Sequence, residues 1–109
     1  MAWLIRDGQV LASLEVAEGL EARLKGLSGR SLEGGGLLLR GAKLAHSLGR
    51  RSPLDVAWLD SEMTVIGLGR IRPHAMTLPR PRAASVLLAE AGAFGRWGLA
   101  VGDSLELKE

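Results

Sequence analysis

Three observations predict a mainly antiparallel β domain. The apolar residues fall in short runs separated by Gly, Pro, Asp and Ser, only one stretch carries extended helical spacing, and long crossover helices between the runs are absent. A chain of 109 residues fits one domain, 1–109, and its 47% hydrophobic content is what a packed core needs and a disordered chain lacks.

The elements follow in order. Trp3-Leu4-Ile5 and Val10-Leu11 flank Asp7-Gly8, a pair suited to the positive φ angles of a tight primed turn, so a hairpin is expected. From Ala17 to Leu27, the residues Ala17, Leu20, Leu24 and Leu27 recur at helical spacing, Glu21 and Lys25 pair at i,i+4, and Gly29 suits a left-handed cap. This is the one packed helix, and Gly19 and Gly26 weaken it by up to ~1 kcal/mol each, so contact with a sheet must hold it. Gly34-Gly35-Gly36 reads as a flexible turn before Leu37-Leu38-Leu39; no Lys-Ser/Thr follows to make it a phosphate loop. Ser52-Pro53 biases the chain to extension, and Leu54 to Leu59 reads as a strand with Val56 and Trp58 on one face and Asp55, Ala57 and Leu59 on the other. Asp60 to Met63 turns into a β-branched strand, Thr64 to Leu68. Pro73, Pro79 and Pro81 make Arg72 to Arg82 irregular and exposed. Ser85 to Ala89 resumes as a strand, Glu90 to Trp97 is a short helix or turn that Gly98 can stop, and Ser104 to Leu107 is the last strand.

Without cysteine there is no disulfide and no thiolate chemistry, and a reducing compartment is expected. Arg6, Asp7, Glu15 and Glu18 interrupt the N-terminal apolar residues, and no run approaches the ~20 residues of a membrane helix. The expected location is therefore cytoplasmic, with no membrane partner. Charge is regional: residues 40–82 carry eight Arg or Lys against Asp55, Asp60 and Glu62, while both flanks are net acidic. A partner for that middle region should be anionic.

Candidate chemistry concentrates between Leu44 and Asp60. His46 could act as a base or ligand oriented by Asp55, with Glu90 as a second carboxylate, which would make a small hydrolase-like site. The bland alternative is that His46 fixes a loop through a backbone carbonyl and Asp55 satisfies amides of the preceding turn. Two His and scattered carboxylates lack metal-site spacing, so neither metal nor cofactor is expected. For nucleic acid, Arg50, Arg51, Arg70, Arg72, Arg80 and Arg82 could track phosphates. Stacking residues are scarce, however, since the chain has no Tyr and one Phe, and Trp3, Trp58 and Trp97 fall in expected core elements. The favoured expectation is a non-enzymatic module that binds a small anion, a peptide or a protein in a groove between His46–Ser52 and Arg72–Arg82. The binding residues would be His46, Arg50, Arg51, Asp55, Arg72 and Arg82, with Asp55 bracing the turn and lying beside His46 at one rim.

Several of these segments together resemble the bacterial and archaeal domain of unknown function 192 family. The signature Gly26-Leu27-Ser28-Gly29-Arg30, the central run His46-Ser47-Leu48-Gly49-Arg50-Arg51-Ser52-Pro53-Leu54-Asp55-Val56, and the closing Leu87–Glu90, Ala91-Gly92 and Gly102-Asp103 match its pattern in order and spacing. The resemblance implies a compact antiparallel β sandwich or barrel with one helix packed on it, and it carries no established activity. Departures are Ser28 and Arg50 for the family's Met, Ser52 for an aromatic, and Met63 where a turn Gly is typical. Met63 should therefore be driven toward an unfavourable positive φ.

Overall fold

The computed structural model describes residues 2–18, 32, 35–48 and 50–109. Among the described residues, seven strands form one sheet: β1 (Ala2–Arg6), β2 (Gln9–Glu18), β3 (Gly35–Arg40), β4 (Leu54–Leu59), β5 (Val65–Ile71), β6 (Ser85–Glu90) and β7 (Glu106–Lys108), in the order β5-β4-β6-β3-β2-β1-β7. One short helix, α1 (Ala93–Trp97), follows β6. The fold is mainly β, as the sequence predicts, and the sheet is not closed into a barrel. Its pairs are antiparallel except β2 with β3, which run parallel with Ser13 opposite Gly35.

Turn chemistry accounts for the hairpins. Asp7 and Gly8 take φ of 51° and 78°, the primed turn expected between β1 and β2. Between β4 and β5, Asp60 Oδ1 accepts the amides of Glu62 and Thr64, and Met63 adopts φ 62°. The expected strain at Met63 is thus present, and its half-buried side chain offsets part of it by packing on the core. Gly98 ends α1 at φ 65°, where its amide and that of Leu99 bond back to Gly95 and Phe94.

Two expectations change. Gly35 and Gly36 belong to β3 and not to a free turn, because a Cβ at Gly35 would stand 2.8 Å from Ser13 Oγ, so glycine permits close approach to β2. The expected helix of Ala17 to Leu27 lies mostly outside the described residues, and its first two residues, Ala17 and Glu18, end β2.

The pleat sorts the core onto the two faces of the sheet. Every residue of β4 is buried. Ala57 and Leu59 join Leu4, Leu14, Leu38, Leu87, Ala89 and the α1 residues Ala93 and Phe94, whereas Leu54, Val56 and Trp58 join Leu37, Leu39, Val86, Leu88, Ala45 and Ala83. A central strand covered on both sides reads as a continuous apolar run, which is why LDVAWL shows little alternation. Trp3 departs from its expected core position and is 40% exposed. Near the chain end, Val65 N–H donates to Asp103 O, and the amides of Gly102 and Leu105 donate to Val65 and Met63 carbonyls, tying the start of β5 to the segment before β7.

Candidate functional site

Asp55, the second residue of β4, projects to the α1 face. It is only 5% exposed; Oδ2 accepts the amides of Gly92 (2.9 Å) and Phe94 (3.1 Å), and Oδ1 accepts Arg70 Nε at 3.1 Å from the adjacent strand. These amides open α1, so a carboxylate of β4 caps a helix that follows β6. The expectation that Asp55 serves the turn before it is corrected: the donors lie 37 and 39 residues away.

The segment carrying His46 packs on the opposite face, where Ala45 and Ala75 meet the second core cluster. His46 bridges Met76 in a β-like pairing, and its Nδ1 is buried without a hydrogen-bond partner among the described residues. The expected shared rim for His46 and Asp55 is therefore corrected, since one side chain points to α1 and the other belongs to a segment across the sheet. Glu90 is half-buried at the end of β6, opposite Leu54, and so continues the Val86–Leu88 face away from Asp55. No three His, Asp or Glu side chains among the described residues gather as a metal would require.

Ser47 takes the central structural place on that second face. Fully buried, its hydroxyl donates to the Arg72 carbonyl and accepts the Ala75 amide at 3.0 Å, its own amide donates to Ala75 O, and its carbonyl accepts the amides of His74 and Arg50. Thr77 and Ala45 continue the pairing: Thr77 N–H donates to Ala45 O, and Ala45 N–H donates to Thr77 Oγ1. Lys43 completes it, its carbonyl accepting the Arg80 amide and its ammonium donating to the carbonyls of Pro81 (2.7 Å) and Ala83 (2.8 Å). Residues 43–47 thus form a strut for residues 72–83.

Beside this strut lies a groove of about 610 Å³, lined by Trp58 and Ile66 below and by the Thr77–Arg82 segment above. The Arg80 guanidinium carbon sits 4.2 Å from the centre of the Trp58 ring, whose Nε1 donates to Lys43 O. Gly67, opposite Trp58 in the β4–β5 register, makes the space: a Cβ there would stand 2.5 Å from a terminal Arg80 nitrogen. Among the described residues no acceptor meets the Arg80 guanidinium. Stacking of this kind is worth about 0.5–2 kcal/mol and holds the plane while its edge donors stay available.

Of the expected binding residues, Arg82 lines the groove; Arg51 and Arg72 are exposed outside it, Arg50 is half-buried, and His46 and Asp55 lie elsewhere. In the sequence, Arg80 stands out as one of several candidate phosphate-tracking arginines within the Arg72–Arg82 rim, and Trp58 as a core residue. The alternation Pro79-Arg80-Pro81-Arg82, which fixes backbone around two cations, was the available signal.

A family model of proteins described as uncharacterized ACR matches residues 2–107. The chain belongs to the DUF192 family. This DUF192 chain is also similar to two solved structures. One, from Sinorhizobium meliloti 1021, is described as a proposed transcription regulator and shares 26% identity at a TM-score of 0.78, covering 96% of this chain and 90% of that one. The other, a protein of unknown function from Novosphingobium aromaticivorans DSM 12444, shares 22% identity at a TM-score of 0.76, covering 96% and 82%, and shows the fold alone. Comparison with curated proteins gives no match. No helix among the described residues is long and apolar enough to cross a membrane.

Proposed function

We propose that this DUF192 chain is a non-enzymatic binding module that takes an anionic ligand in the groove between Trp58–Ile66 and Thr77–Arg82. The observation that carries this reading is the Arg80 guanidinium, stacked on Trp58 with no acceptor among the described residues and with Arg82 beside it. A cation whose orientation is already fixed loses little freedom when a carboxylate or phosphate arrives, and its planar fork suits two parallel hydrogen bonds. The hydrolase reading has less to draw on: Asp55 is committed to α1 and Arg70 on the other face, and among the described residues no carboxylate meets the buried His46 Nδ1. The neighbour described as a proposed regulator favours a phosphate-backbone reading with Arg51, Arg72 and Arg82, but the groove's one aromatic ring is already covered by Arg80.

The test is thermal unfolding of wild type and Arg80→Gln with citrate, inorganic phosphate or N-acetylglutamate, at ionic strength held constant with chloride. A ligand at about 100 times its Kd stabilises by about 2.7 kcal/mol, so a rise in Tm of several degrees is expected in wild type and not in the variant. Equal rises in both, or none in either, refute the reading.

A further inference from the structure

The anion site lies at one end of a longer surface. Residues 72–78 alternate between half-buried and exposed: Pro73, Ala75 and Thr77 turn inward, whereas Arg72, His74, Met76 and Leu78 turn outward. Met76 is 58% exposed and Leu78 is 84% exposed, and both stand on a segment that many hydrogen bonds hold in place. Leu78 also lines the groove that holds Arg80 and Arg82. Two apolar side chains are therefore presented at a two-residue spacing of roughly 6.5–7 Å, followed by two cations, along a backbone that Ser47, Ala45 and Lys43 hold in place.

A small anion would satisfy Arg80 and Arg82 and leave Leu78 and Met76 in water. An extended peptide has the same two-residue period as the strip, so it can cover both apolar side chains and still bring a carboxylate to the cations. Charge fits the same partner, because Arg72 flanks the strip at one end and Arg80 and Arg82 at the other, within the cationic 40–82 region. Building on the anion-site reading above, we infer that residues 74–82 with the Trp58–Ile66 floor form one docking strip for an extended acidic segment of a partner protein. A carboxylate of that segment pairs with Arg80 and Arg82, and apolar side chains at alternate positions cover Leu78 and Met76. Preordering of the strip by the strut removes most of the loop-ordering cost on the receiving side.

The experiment measures fluorescence anisotropy of labelled peptides titrated with the whole chain. The probe is Glu-Glu-Ser-Leu-Ser-Leu; the comparison peptides replace both leucines with serine or both glutamates with glutamine. The probe is expected to bind about tenfold more tightly than either, the scale of one buried leucine or one charge-assisted pair. Met76→Ser, which removes an exposed side chain outside the groove and leaves the core intact, should weaken the probe about tenfold and leave citrate binding unchanged; Arg80→Gln should weaken both. A probe bound no more tightly than its serine counterpart, or insensitivity to Met76→Ser, overturns the docking strip while citrate stabilisation still supports the anion site. Failure of both citrate and the probe overturns the two together. Binding to phosphatidylserine vesicles without binding of the probe also overturns the strip and assigns the exposed leucine to a lipid surface.

Discussion

Arg70 and Arg80 meet β4 on its two faces, and their fates differ. Arg70 donates to Asp55, whose remaining oxygen closes the start of α1, so that cation completes a structural network. Arg80 lies on Trp58, and among the described residues no acceptor takes its donors. Residue type is the same, and neither guanidinium is deeply buried; what separates them is whether the fold has already supplied an acceptor. A charged group with its hydrogen bonds made inside the protein is part of the scaffold, and one oriented without them is available to a partner.

The largest way to sharpen this contrast is Asp55→Ala. It removes acceptors from two amides, one of them buried, and unfolding in urea should show a loss of about 3 kcal/mol. A loss under 1 kcal/mol would place the helix start on other supports. Ser47→Ala should cost about 1–3 kcal/mol by leaving the Ala75 amide without its acceptor, and hydrogen exchange at Ala75 should accelerate more than exchange in β4. Arg80→Ala should cost under ~1 kcal/mol, yet shift Trp58 emission to longer wavelength as the ring meets water; an unchanged spectrum would show that the stack is not formed in solution.

Asp103 supplies the smallest effect. Its carboxylate accepts the Ala100 amide and faces Arg6 at 3.0 Å, which together hold its pKa below the usual carboxylate value against partial burial. A depressed native pKa adds stability that is full above the unfolded value near about 4 and is lost as pH falls through the native one. Asp103→Asn should therefore lower Tm by a few degrees at pH 7, and the gap should narrow as the pH drops below about 4. A gap constant with pH would remove the charge from the explanation.

Local rules carried the fold further than the site. Asp7-Gly8, Gly98 and the apolar faces of Leu54–Leu59 could be read directly, because each depends on backbone geometry or on a two-residue period within a few neighbours. The positive φ of Met63 was legible through the family resemblance, which puts a turn glycine at that position. By contrast, Asp55 meets amides 37 and 39 residues along the chain, and Arg80 meets a ring 22 positions before it and a glycine of the next strand; no spacing in the sequence encodes such long-range pairings. Ser47 was passed over for a similar reason. Its hydroxyl bonds to Arg72 and Ala75, 25 and 28 residues along, and pins that second segment from inside.

The most direct measurement follows the guanidinium resonances of Arg70 and Arg80 by NMR during one titration with N-acetylglutamate. The expected result is a saturable shift of Arg80 Nε–H while Arg70 Nε–H, already bonded to Asp55, stays in place. Movement of Arg70 without Arg80, or of neither, would contradict the division of labour between the two faces of β4.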